Sequence, residues 1–262
     1  MTEHRRDAPP RDAPRRDALG WRHRFGVMGP STNTIVQPDL EGMRPAGVTN
    51  HYSRIFTPDA DAVSNETFMA GARLIGANTI AAVDSVMTSH PDSLVMGMSA
   101  VTFFGGMAGA DAFQHSVEQA SGLRVSIGSH ATTAALRAVG GVRRVAFMSP
   151  YFPAANDEVR RYLTEAGFEV VRDRCLQCPC WTAIAEIPTE TIRDTLRALD
   201  GDDVDAIVQV GTNLSAVKLC AAAELWLGKP VIAINTATYW HALRTAGIED
   251  KIEGFGQLLE RF

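Results

Sequence analysis

Residues 142–172 read VRRVAFMSPYFPAANDEVRRYLTEAGFEVVR, and they contain one complete β–α–β unit. The β-rich run Val142–Ser149 predicts a strand. Pro153–Ala166 carries apolar residues at helical spacing, and Glu169–Arg172 returns to strand character. A helix inserted between two strands brings the second alongside the first in parallel, so this unit points to a parallel sheet with helices on its faces. The same alternation runs outward in both directions. Further strands are predicted at Phe25–Gly29, Val48–Ile55, Ser93–Met98, Arg124–Ile127, Ala206–Val210 and Pro230–Ile234. Further helices are predicted at Ser64–Thr88, a long Ala-rich run, and at Thr189–Leu199 and Ser215–Leu227. The fold class is therefore α/β.

Composition narrows the function classes. The chain has 262 residues, enough for one large core or for two lobes sharing a cleft. Its net charge of -5 gives no electrostatic reason to expect nucleic acid or an anionic membrane as partner. No apolar run approaches the ~20 residues of a membrane span, and Met1–Arg24 lacks the apolar segment of a secretory signal. Residues 1–20 repeat an Arg/Asp/Ala/Pro unit. Such a tract buries too little apolar surface to offset its ordering entropy, so a disordered tail is expected over 1–24. Of the four cysteines, Cys175, Cys178 and Cys180 crowd together and only Cys220 stands apart, a poor framework for stapling a domain. A reducing, cytoplasmic setting is expected.

The strand-to-helix turns carry the chemistry. In open α/β sheets ligands bind beyond the carboxyl ends of the strands. Four turns there are rich in small polar residues: Gly29–Thr34, Gly97–Ala100, Ser149–Tyr151 and Gly211–Ser215. Helix N-termini offer unpaired N–H donors and partial positive charge, so these turns suit an anion. No Gly-x-Gly-x-x-Gly follows a strand and no phosphate-loop lysine is present, which argues against a nucleotide.

With these turns in place the sequence resembles the maleate isomerase and arylmalonate decarboxylase branch of the aspartate/glutamate racemase superfamily, from Phe25 to Phe262. Pro30-Ser31-Thr32-Asn33-Thr34 is similar to that branch's carboxylate-contacting Pro-Ser-Ser-Asn-Thr element. Gly140–Val170 resembles the start of its second lobe, with Tyr151 matching an active-site tyrosine, and Leu225–Ala242 resembles the return to the first lobe. The resemblance implies two pseudo-symmetric Rossmann-like lobes with parallel sheets and an active-site cleft between them. On that basis the first lobe spans 25–140, the second 141–234, and 235–262 returns to the first.

Most of the superfamily places one cysteine at a strand end in each lobe, on opposite sides of the substrate's α-carbon, and needs neither metal nor cofactor. Here the first position falls at Met98 or Ser99 and the second at Gly211 or Val210. Neither is cysteine, so thiol-based racemisation and cysteine-adduct isomerisation are not expected, and the resemblance transfers the fold and the anion cradle better than the reaction.

The candidate catalytic residues are Ser99, Tyr151 and Thr212. Substrate binding is assigned to Ser31, Thr32, Asn33, Ala100, Trp181, Gly211 and Asn213, with no metal and no cofactor. Each has a structural alternative: Asn33, Asn213 or Ser215 as a helix cap, Ser99 as a buried turn, Tyr151 as a lobe-edge aromatic. Gly211 is either a plain β–α turn or an opening for a larger substrate. The Cys175-x-x-Cys178-x-Cys180 loop reads as inert lining beside Trp181, as a substitute thiol through Cys180, or as metal or disulfide chemistry, for which no fourth ligand has suitable spacing. His51 beside Arg54, His130 and His241 are acid/base candidates or structural histidines. The expected function is a lyase, of decarboxylase or hydratase type, acting on a small carboxylate or dicarboxylate through an enediolate-like intermediate. A cis–trans isomerase or racemase with unusual acid/base groups, and an inactive carboxylate-binding protein, stay open. The expected partner is the small-molecule substrate alone; the relatives suggest a homo-oligomer, for which the sequence carries no separate signal.

Overall fold

The structure is a computed structural model that describes residues 17–61 and 63–262. The expected tail lies outside the described residues as far as position 16. From Asp17 the chain is tied down: Arg22 forms an ion pair with Asp250, and the first strand already begins at His23.

Among the described residues eight strands form two four-stranded parallel sheets with the same internal order. The first contains β1 (His23–Pro30), β2 (Val48–Ile55), β3 (Ser93–Met96) and β4 (Val125–Ser126), ordered β2-β1-β3-β4. The second contains β5 (Arg144–Ser149), β6 (Glu169–Cys175), β7 (Ala206–Gln209) and β8 (Val231–Ala233), ordered β6-β5-β7-β8. The identical order is the pseudo-symmetry expected from the resemblance. The central strands are apolar almost end to end because helices cover both faces; Ala206–Gln209, for example, is buried throughout.

Among the described residues ten α-helices complete the layers: α1 (Val36–Gly42), α2 (Asn65–Ala77), α3 (Thr79–Met87), α4 (Gly106–Ser121), α5 (Gly128–Val139), α6 (Pro153–Glu165), α7 (Thr189–Leu199), α8 (Val217–Leu227), α9 (Ile234–Thr245) and α10 (Gln257–Arg261). None of the described helices is long and apolar enough to cross a membrane. The single helix expected over Ser64–Thr88 is two. A reciprocal Ser64/Thr67 capping box starts α2. Asn78 interrupts the run, its side-chain amide donating to the Phe56 carbonyl at 2.8 Å. The strand expected to reach Met98 stops at Met96: Gly97 still donates its N–H to the Met28 carbonyl of β1, but its own carbonyl turns to the other lobe and accepts from Thr212.

Helices α5 and α9 pack against each other and join the lobes. Helix α9 leaves the second sheet and packs on β3 and β4 of the first. It is buried from Ile234 through Trp240, and that run includes the polar Asn235, Thr236 and Thr238; Asn235 bonds the Thr212 carbonyl and Asp39, and the Thr238 hydroxyl donates to the Ile234 carbonyl. Tyr239 stacks edge-on against Phe25 at 5.7 Å and donates its hydroxyl to Asn50 at 3.1 Å. Tyr239→Phe removes that one buried bond and leaves the Asn50 oxygen without its partner. We expect a loss of about 1–2 kcal/mol in denaturant unfolding with the fold retained.

Candidate active site

The carboxyl ends of β1, β3, β5 and β7 converge on a cavity between the lobes. Its polar lining comes from the turns after those strands: Thr32 and Asn33, Ser99, Tyr151, and Thr212 with Asn213. Its apolar wall is Ala72 and Ile75 of α2, with Val101, Trp181 and Ile184. Trp181 lies flush against α2 because position 71 is glycine; a Cβ there would stand 2.7 Å from the indole. Phe68 stacks on both Trp181 and Tyr151, at 4.9 and 5.2 Å, which fixes the two aromatic walls relative to α2.

The polar side chains are mostly committed to each other. The Asn33 carboxamide oxygen accepts from the N–H groups of Ile35 and Val36, at the start of α1, while its amide donates to Thr212 Oγ1 at 3.0 Å. The Thr212 hydroxyl in turn donates to the Gly97 carbonyl at 3.1 Å. Asn213 accepts from the Thr34 N–H and donates to the Trp181 carbonyl. Asn33 therefore braces the start of α1, and both Asn33 and Asn213 are lobe-to-lobe ties. Among the described residues no hydrogen bond engages the backbone N–H of Thr32, Met98, Ser99, Thr212 or Asn213. Together with the second N–H of Asn33, these are the donors left for an anion.

Behind Thr212, Asn235 at the start of α9 donates to the Thr212 carbonyl at 3.0 Å and to Asp39 Oδ2 at 2.8 Å. Burial pushes the Asp39 carboxyl up to about 6, against the lowering effects of the Asn235 bond and of Lys218.

Tyr151 is the one titratable side chain that lines the cavity among the described residues. Its hydroxyl shares a 2.6 Å bond with Ser99 Oγ. Burial drives the phenol well above its ordinary range, so at neutral pH it is an O–H donor. No carboxylate, imidazole, thiol or ammonium group lines the same cavity.

All the candidate residues from the sequence meet in this cavity except Ser31, which faces the loop after β2; its hydroxyl donates to the Thr57 carbonyl and accepts the Thr57 N–H. Gly211 lines the cavity, but it is not an opening made for a larger substrate. Its φ is +116°, and a Cβ would stand 2.5 Å from the Pro150 ring, so the backbone itself requires glycine. None of the four cysteines lines the cavity, and all are free. Cys180 sits 3.4 Å from the Thr182 hydroxyl. Burial lifts the thiols of Cys175 and Cys178 to about 11 and about 12, so they are protonated at neutral pH. Among the described residues no group of side chains is arranged to hold a metal.

The histidines also lie elsewhere: His51 bonds Thr49, His130 pairs with Asp111, and His241 bonds Ser126. Arg54, which the sequence sets beside His51, is spent on the Asn33 carbonyl and on Gln37. Sequence reasoning missed the wall positions Ala72, Ile75, Val101 and Ile184. The first two share the buried face of α2 with Phe68, a spacing that cannot by itself distinguish a cavity wall from a core.

Comparison with known proteins places this geometry. The chain matches the family described as arylmalonate decarboxylase over residues 72–259. It is 29% identical to an arylmalonate decarboxylase of Bordetella bronchiseptica, over 88% of this chain and 98% of that protein. It is 25% identical to a maleate isomerase of Nocardia farcinica, over 91% and 96%. A solved structure of maleate cis–trans isomerase from Nocardia farcinica, holding a covalently bound succinylcysteine intermediate, superposes with a TM-score of 0.82 at 26% identity, covering 92% of this chain and 99% of that one.

Two stability experiments test the site. Gly211→Ala forces a side chain into a left-handed backbone and against Pro150; we expect a loss of about 1–3 kcal/mol on thermal unfolding. For Asp39 the folded state holds a proton above the unfolded carboxyl's ordinary pKa. The Asp39 contribution to stability therefore falls as pH rises from about 4 to about 6, by roughly 3 kcal/mol in total. Asp39→Asn abolishes that fall, so the variant gains on wild type across the same window; parallel unfolding curves at both ends check it.

Proposed function

On the premise that this chain belongs to the arylmalonate decarboxylase family, whose relatives here are lyases and isomerases, we propose that it is a decarboxylase of small carboxylic acids that works through an enediolate-like intermediate. The observation that carries this reading is the single titratable group in the cavity, Tyr151, set among neutral donors and an apolar wall. A two-base racemisation needs a proton carrier on each face of the α-carbon. A decarboxylation needs an electron sink and one proton donor.

In this reading the retained carboxylate sits on the free N–H groups of the β1 and β7 turns. The departing carboxylate lies against Ala72, Ile75, Val101 and Ile184, where it loses hydration and finds no counter-charge. The bond from the α-carbon to that carboxylate breaks, its electron pair moves into the retained carboxylate as an enediolate, and neutral CO₂ leaves. The N–H groups of Met98 and Ser99 stabilise the developing charge; such donors are worth about 3–4 kcal/mol each. The α-carbon then takes the proton of the Tyr151 phenol, Ser99 holds the phenolate by its 2.6 Å bond, and water restores the proton. The wall favours a substrate with an apolar substituent on the α-carbon, such as an alkyl- or arylmalonate.

Proton NMR in D₂O with maleate, malate, aspartate, glutamate and alkyl- and arylmalonates tests this directly. We expect a malonate to lose CO₂ and gain one α-deuterium. Tyr151→Phe should lower kcat by about 10²–10⁴, and Cys180→Ala should change it by less than about twofold. Conversion of maleate to fumarate that Cys180→Ala abolishes would overturn the reading in favour of an isomerase. A raised melting temperature with no turnover of any acid would mark a carboxylate-binding protein instead.

A further inference from the structure

Asp39 and Asn235 stand outside the cavity lining, yet they end a chain of bonds that leads into it. We infer that Asp39 and Asn235 are positioning residues that hold the Thr212–Asn213 amide donors in register for a carboxylate, a role that rests on the carboxylate reading above.

The argument begins at Thr212. Its hydroxyl is engaged twice, by Asn33 and by the Gly97 carbonyl. Its carbonyl is engaged by Asn235. With both ends held, the backbone N–H groups of Thr212 and Asn213 have little freedom to turn. The carbonyl tie is the only one of the three that comes from α9, and it depends on which way the Asn235 carboxamide faces.

In the observed orientation both amide hydrogens of Asn235 are used, one on Thr212 and one on Asp39. The amide oxygen is buried with no partner. A buried polar atom left unpaired is unfavourable, so the orientation is kept for what the other end does. Asp39 is what keeps it. The reversed carboxamide would set its oxygen against the Asp39 carboxylate and the Thr212 carbonyl together, three acceptors with no hydrogen between them. Ionised Asp39 forbids that rotamer; protonated Asp39, with a hydrogen of its own to donate, permits it. The other ionisable groups interacting with Asp39 are Lys218 and Cys220 from α8 and Tyr52 from β2. Tyr52 and Cys220 are raised far above neutrality by burial, so neither changes charge in the window where Asp39 does.

The test is a pH titration of the full unliganded chain by nitrogen–proton correlation NMR, from about pH 4.5 to about pH 8. The Thr212 and Asn213 amides and the Asn235 side-chain amide should move together with one midpoint near 6, and Asp39→Asn should flatten all three. Thr212 and Asn213 amides that stay flat in the wild type, or that keep their inflection in Asp39→Asn, would overturn the proposal. If Asp39→Asn does not fold, the wild-type curves decide: a shared midpoint for Asn235 and Thr212 supports the pair, and separate midpoints refute it. A second arm uses phenylmalonate, with KM expected to rise about tenfold in Asn235→Ala and kcat to change much less. If phenylmalonate is not turned over by the wild type, the decarboxylase reading is what fails, and the amide titration still decides the role of Asp39 and Asn235.

Discussion

The Thr212 hydroxyl is the contact on which the cleft depends. It accepts from Asn33, which braces the start of the first helix, and donates to the Gly97 carbonyl at the end of β3. One second-lobe side chain thus pins two first-lobe turns. Each bond is modest by itself, about 1 kcal/mol net when buried and satisfied. Their effect is geometric, since they set where three strand ends sit relative to one another. Gly97 can give its carbonyl to the other lobe because β3 stops one residue earlier. Asn213 adds a parallel tie from the Thr34 N–H to the Trp181 carbonyl.

These ties explain how a cavity without charged lining can still select an anion. Once the carboxamides and hydroxyls satisfy one another, what remains for a ligand is a set of main-chain N–H groups on three rigid turns. Such donors need no counter-ion, keep their orientation, and act in a dry, apolar surround where their dipoles count for more than in water. The same surround keeps Tyr151 protonated, which suits the proton-delivering role proposed for it. Of the cavity's apolar wall, Ala72 and Ile75 come from α2, which also seats Trp181.

The amino-acid sequence by itself determined the layered plan. Strand-helix alternation with turn residues at fixed places predicts all eight strands seen among the described residues, four of them, those beginning at Val48, Ser93, Glu169 and Ala206, at the observed starting residue. It also predicts which turns reach the cleft, because a β–α turn at a sheet's carboxyl end has few places to go. Tertiary structure alone decided the partners. Whether Asn33 caps, clamps or binds depends on a threonine 179 positions away. Whether Cys180 and His51 reach the substrate depends on how loops fold over the sheet, and neither lines the cavity. The need for glycine at position 211 became visible only once Pro150 stood 2.5 Å from its absent Cβ. Periodicity and turn chemistry are local and survive in one dimension. Hydrogen-bond partners, burial and the pKa shifts that follow from them are properties of distant segments brought together, and they exist only in the folded chain.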